Sequence, residues 1–444
     1  MMMKKLIIGG VALSYLSVGY AWSGHFLITY NALYNQNQTL NQKVKVESLD
    51  HFVYSLKDKL PNELSSIESF ARANTFAYKE LPSSLTFDPN NQNCAQNLTL
   101  CFKHAIRINP QVVLTTITYD PNNKLKGKLV EDISTLMIKP EVSHHTHLIT
   151  DNQFKQVAIG DMVDELGVIS ASAEEPDFGL DVDLYQDSGT SFGKIYNFGE
   201  QPMHDKQVPY ISQSLFHMST YYLPWIFTAI YSPIKYSYPQ YRFYQYMHLA
   251  KFAKQNGHPY WAARFSGWAL HYLQDMTQPY HIDLFFGYSK LSVLYRYFVS
   301  SFISPKPFRE MQTLISEKHI VNEDMAGYLL SNLDKDQFTA IPVKLYLAQE
   351  NDNKQKCDID NNFLINTVVP QTTNDSEGYE NKIKKIFPQR LVDNPNGVDF
   401  AKVHYVEIYN NFSQEQKRKL LEMYRPFFQS VGWYTRSCID KVLN

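Results

Sequence analysis

His271, Asp275 and His281 are the residues whose types and spacing most suggest chemistry. His271 and Asp275 are four apart, so a helix puts them on one face. Pro279 stops that helix, and His281 follows from the turn. Two imidazoles and a carboxylate presented in this way can hold a metal ion such as zinc. A buried helix end with a His–Asp pair is the plainer explanation of the same triplet. His319 and Glu323 form a second imidazole–carboxylate pair at i, i+4. The clustered His144, His145 and His147 fit neither one helix face nor a tight chelate, so they are weak candidates.

Residues 1–21 read as a secretory signal peptide. Lys4 and Lys5 precede an apolar run, and Gly19-Tyr20-Ala21 forms a small-x-small cleavage site. Cleavage there would start the mature chain at Trp22. A free α-amine, with an unperturbed pKa near ~8, could then chelate a metal together with its own carbonyl oxygen. His25 lies three residues further on. The net charge of −2 offers no general attraction for nucleic acid, so no nucleic-acid partner is expected. The four cysteines suit an oxidising compartment, with Cys94–Cys101 and Cys357–Cys438 as the expected disulfides.

The elements that must position these residues are helical. Apolar spacing predicts helix over 44–82, over 102–118, over 241–255 and 259–276, from near Phe308, and over 401–442. The helix over 259–276 carries Trp261, Phe265 and Trp268 and is expected to be buried. The 155–218 segment is acidic and glycine-rich. It is either a solvated loop or a loop folded over a site, and its composition favours the surface. Tyr221 to Phe227 is expected in the core. No internal repeat is visible. The expected architecture is all-α: one catalytic domain over 22–444, with insertions near 34–150 and 350–398.

The N-terminal Trp22 with His25, the stretch His271-x3-Asp275-x5-His281 with Gln278-Pro279, and His319-x3-Glu323 resemble the bacterial zinc-dependent phospholipases C. That family shares its all-α fold with zinc-dependent single-strand nucleases. The segments 172–181, 187–190, 215–218 and 431–436 are similar to a longer secreted subgroup of it. The resemblance implies three zinc ions. One would take the Trp22 amine and carbonyl, His25 and a bridging Asp275. A second would take His271, Asp275, Glu174 and His217, with Asp177 and His204 as the alternatives for the last two. The third would take His281, His319 and Glu323. Glu174 or Asp177 would also orient or deprotonate the attacking water. The implied reaction is hydrolysis of the glycerol-side phosphodiester bond of a glycerophospholipid, phosphatidylcholine foremost. The substrate would be a membrane or micelle, and Tyr30, Tyr221, Tyr222 and Tyr280 are candidates for binding its head group. A nuclease or 3′-phosphatase on the same scaffold and a non-catalytic exported metal-binding protein are the rival readings.

Overall fold

Gly257 takes a left-handed φ of 82°, and Pro259 opens the next helix, Pro259–Asp275. Every residue from Tyr260 to Asp275 is buried. A helix buried all round has neighbours on all sides. Here they include Pro239–Gln255, Glu165–Glu174, His25–Leu33 and the long C-terminal helix Gln414–Leu443. The computed structural model describes residues 22, 24–34, 42–138, 153–201, 213–230, 232–333, 336–349 and 355–443. The expected signal peptide, His144, His145, His147 and His204 lie outside the described residues.

Helix accounts for 62% of the described residues and strand for 4%, so the class is all-α. Two small antiparallel sheets are present among the described residues. Lys43–Lys45 pairs with Met162–Asp164, and Phe154–Gln156 lies between Ile117–Tyr119 and Lys128–Leu129. The apolar interior has two main bodies. One gathers the 239–255 and 259–275 helices with the helices before residue 110. The other surrounds the helix Lys306–Ser331. The C-terminal helix joins them: Tyr434 belongs to the first and Tyr424 to the second.

The structure corrects several expected elements. The 44–82 region is a short strand followed by two helices, Leu49–Ser55 and Leu60–Asn74. Ser48 caps the first through the His51 amide, and Pro61, which has no N–H to donate, sits in the opening turn of the second. Helix expected over 102–118 ends at Ala105. Arg107 has φ 52° and Pro110 follows, after which the chain enters the sheet at Ile117. The reading of 155–218 as surface fails over 165–181. Glu165–Glu174 is a helix with every residue buried, and burial continues through Asp181 except at the slightly open Asp177. Trp225, expected in the core, is exposed.

Gly267 explains how an acidic, small-residue helix comes to lie inside. A Cβ there would sit 2.5 Å from the Ile169 carbonyl oxygen and 2.6 Å from Ser172 Cβ. Only a hydrogen at 267, facing Ser170-Ala-Ser-Ala173, lets the two helices approach this closely.

Candidate metal centre

The close crossing at Gly267 has a consequence one turn further on. Ala173 lies in the last turn of its helix, where carbonyl groups lack intrahelical partners. Its oxygen accepts the Nδ1–H of His271 at 2.8 Å. That bond fixes the His271 tautomer and aims its Nε2 lone pair inward. His25 and His281 are held in the same manner. His25 Nδ1–H donates to Gln274 Oε1 at 2.8 Å, and Gln274 is itself braced by Thr29 and Thr435. His281 Nδ1–H donates to the His217 carbonyl at 2.6 Å, while the Ser219 amide donates back to the His281 carbonyl. Gln278 caps the short helix Pro279–Ile282 and also donates to Glu323 Oε1 at 3.1 Å.

The inward nitrogens meet carboxyl groups. His25 Nε2 lies 3.5 Å from Asp275 Oδ1. His271 Nε2 lies 3.5 Å from Asp275 Oδ2 and 3.6 Å from Asp177 Oδ1. His217 Nδ1 is 3.1 Å from Asp275 Oδ2 and 2.8 Å from His271 Nε2. His281 Nε2 and His319 Nε2 lie 3.1 and 2.7 Å from Glu323 Oε1. Three groups of ligand atoms result: His25, His271 and Asp275; Asp177, His217 and His271; and His281, His319 and Glu323. Within each group the ligand atoms lie within 4.8 Å of one another, so each could hold a metal ion.

Charge follows from burial. Desolvation pushes the carboxyls of Asp177, Asp275 and Glu323 well above the usual carboxylate range, and neighbouring acids add to the effect. Desolvation likewise holds His217 and His271 well below the ordinary imidazole value and takes His281 to about 3. The imidazoles are therefore neutral, as metal ligands must be. Asp177 Oδ1, Asp275 Oδ1 and His217 Nε2 are buried polar atoms with no hydrogen-bond partner. Leaving such atoms without a partner is costly, and a divalent cation among them would satisfy both the lone pairs and the charge. The donor set of imidazole nitrogens and carboxylate oxygens suits zinc.

The expected ligands do not all meet as expected. Asp177, not Glu174, lies beside His217 and His271. Glu174 Oε2 instead accepts from the Phe26 amide at 3.2 Å, at the start of the helix His25–Leu33. Its carboxyl is pushed up to about 7 by burial, and its charge reaches Asp177 and Asp275. His271 is shared by two groups. The Trp22 indole donates to Thr277 Oγ1 at 2.9 Å, which ties the N-terminal segment to the turn after Asp275. Of the four tyrosines, Tyr280 is buried and stacks on His319 at 5.3 Å. It supports a ligand rather than lining an open pocket.

Sequence reasoning missed Asp181 and Gln274 as supports. Asp181 Oδ2 lies 3.8 Å from His217 Nε2 and accepts the Tyr272 hydroxyl, while Oδ1 pairs with Arg242 at 2.6 Å. Their signals were present: Gln274 adjoins Asp275, and Asp181 falls in the 172–181 segment. A fourth group, Glu47, His51 and His258, lies elsewhere. There His258 already bonds Glu47 and Ser55, so an ordinary hydrogen-bonded cluster accounts for it.

Comparison with protein-family models, with curated proteins and with solved structures finds no match.

Proposed function

We propose that this protein is a secreted phospholipase C with three zinc ions, on the fold of the zinc-dependent phospholipases and nucleases. It would cleave the glycerol-side phosphodiester bond of glycerophospholipids, phosphatidylcholine foremost, to diacylglycerol and a phosphorylated head group. One observation carries the reading. Three histidines, each fixed by an Nδ1–H bond to a carbonyl oxygen, aim their Nε2 atoms at the buried carboxyls of Asp275 and Glu323. Bound metal ions there would neutralise phosphodiester oxygens and acidify an attacking water. The chain's own part is to fix the ligands and move the proton. Asp177, the least buried of the carboxyls at 10% side-chain exposure, faces His217 and His271 as a ligand. Glu174 is outside the three ligand groups, with one oxygen held by the Phe26 amide, and it would be the group to accept the attacking water's proton. The disulfides Cys94–Cys101 and Cys357–Cys438 fit an oxidising compartment and support export.

The test is release of phosphorylated head group from phosphatidylcholine by the mature protein, as purified, after chelation and after zinc is restored. Single-stranded RNA is digested in parallel. Head-group release that chelation abolishes and zinc restores is expected. RNA cleavage with lipid untouched would move the protein to the nuclease branch. Glu174→Gln should retain metal and lose turnover, whereas Asp177→Asn should lose metal. A Glu174→Gln enzyme at full rate would remove the base from this reading.

A further inference from the structure

The chain leaves the site at His281 and runs into the helix Lys290–Phe302. That helix is capped by Ser289 through the Ser292 amide, and it buries Val293 fully. Its opposite face carries Leu291, Tyr295, Phe298 and Phe302 at i, i+4, i+7 and i+11. These side chains are 80, 69, 60 and 66% exposed. Large apolar residues lined up on one open helix face are not the scattered apolar exposure of an ordinary surface. Trp225 is 77% exposed, and the segment that carries it is joined to this helix by a run of ring contacts. Phe227, two residues on, packs against Phe285 at 5.2 Å, Phe285 against Phe308 at 6.3 Å, and Phe308 against Tyr297 of the helix at 5.7 Å.

Charge says what covers this face. Residues 284–309 contain Lys290, Arg296, Lys306 and Arg309 and no acidic residue, in a chain of net charge −2. Lys290 and Lys306 reach Asp283 and Glu310 at the two edges, while Arg296 lies over the Tyr288 ring. An apolar, aromatic-rich stripe flanked by cations suits the interface of an anionic bilayer. No described helix is long and apolar enough to cross a membrane, so this one would lie in the surface plane.

We propose that the helix Lys290–Phe302, with Trp225, is an interfacial anchor that seats the protein on a phospholipid surface containing anionic lipid. This rests on the phospholipase reading for its purpose, since the anchor would bring the His281 side of the site to its substrate. The observations that carry the binding itself are independent of that reading.

The mature protein is sedimented with phosphatidylcholine vesicles, with and without phosphatidylglycerol. Leu291→Ser/Phe298→Ser/Phe302→Ser is compared with wild type. All three positions are exposed, and circular dichroism and metal content check the fold. Wild type should prefer the anionic vesicles, with binding that weakens in salt, and the triple variant should partition roughly tenfold less or worse. Equal binding by the variant, or no vesicle binding by wild type, overturns the inference. So does a wild-type dimer that the triple variant converts to monomer while neither binds vesicles, because the face would then join two copies of the chain. Wild type that hydrolyses a monomeric phosphodiester but ignores vesicles sinks the anchor and spares the phospholipase reading. Vesicle binding without turnover does the reverse.

Discussion

Asp275→Asn separates a metal ligand from a structural ion pair. Asp275 faces His25 across 3.5 Å, His217 across 3.1 Å and His271 across 3.5 Å, so it belongs to the first ligand group and also touches both histidines of the second. An ion present at one hundred times its Kd stabilises the fold by ~2.7 kcal/mol. Three ions would add roughly 8 kcal/mol. A chain of 444 residues unfolds with an entropy of about 0.9 kcal/mol/K, so zinc should raise Tm by about 9 °C. If Asp275 bridges the first two ions, the variant keeps only the one at His281, His319 and Glu323, and its rise should shrink to about 3 °C. The metal-free proteins should behave differently. Burial already pushes the Asp275 carboxyl toward its neutral form, and an amide of the same shape replaces that form without an unpaired charge. Metal-free wild type and variant should therefore melt within a degree or two of each other. The assay is differential scanning calorimetry with excess chelator and then with restored zinc, alongside metal content. A variant whose zinc-dependent rise equals that of wild type refutes the ligand role. A variant that loses several kcal/mol when metal-free would show instead that Asp275 is a structural partner of its histidines, since breaking a buried pair costs ~3–5 kcal/mol.

Metal uptake should release protons, and affinity should rise with pH. The imidazoles, held down by burial, have no proton to give, whereas the carboxyls of Asp177, Asp275 and Glu323, held up, must lose theirs. Titration calorimetry in two buffers of different ionisation heat reads the release; none, or an affinity that falls with pH, contradicts the assignment. Gly267→Ala should destabilise the protein by ~1–3 kcal/mol in urea, because its methyl would meet Ile169 O, Ser172 Cβ and the Ala173 amide nitrogen at 2.5 to 2.8 Å. Zinc affinity should fall with it as the Ala173–His271 bond is pushed apart; a neutral substitution would show that the crossing is looser than described. Removing the Cys357–Cys438 bridge, which closes a separation of 81 residues, should cost about 4.5 kcal/mol by chain entropy, against about 2 kcal/mol for Cys94–Cys101 at 7. Equal losses in urea midpoint would point away from the entropic account.

The part of the centre that is legible in sequence is the part built from local spacing. His271 and Asp275 share a helix face, Pro279 turns the chain to His281, and His319 and Glu323 repeat the i, i+4 pair. The same holds for the helices 239–255 and 259–275, whose Gly257 and Pro259 boundaries are local signals. What composition misreads is the 165–181 segment. Its acids look solvated because nothing nearby in sequence neutralises them. In the fold, Arg264 reaches Glu175 at 2.8 Å and Arg242 reaches Asp181 at 2.6 Å, from helices about sixty to ninety residues away. Gly267 supplies the close approach, and it too is remote. The broken 44–82 helix has the same cause, since the strand at Lys43–Lys45 exists only through Met162–Asp164.

The buried acids then divide by partner, and the division locates the site better than their number does. Glu175 and Asp181 face guanidinium groups, which compensate their charge permanently and make them structural. Asp177 and Asp275 face neutral imidazoles and keep an oxygen with no hydrogen-bond partner. Evenly distributed arginines would have left a stable acidic core with no affinity for cations. Arginine at two positions and histidine at the others leaves acids without a charged partner in one place, between Ala173 and the 281 turn, and that is where a cation would be held.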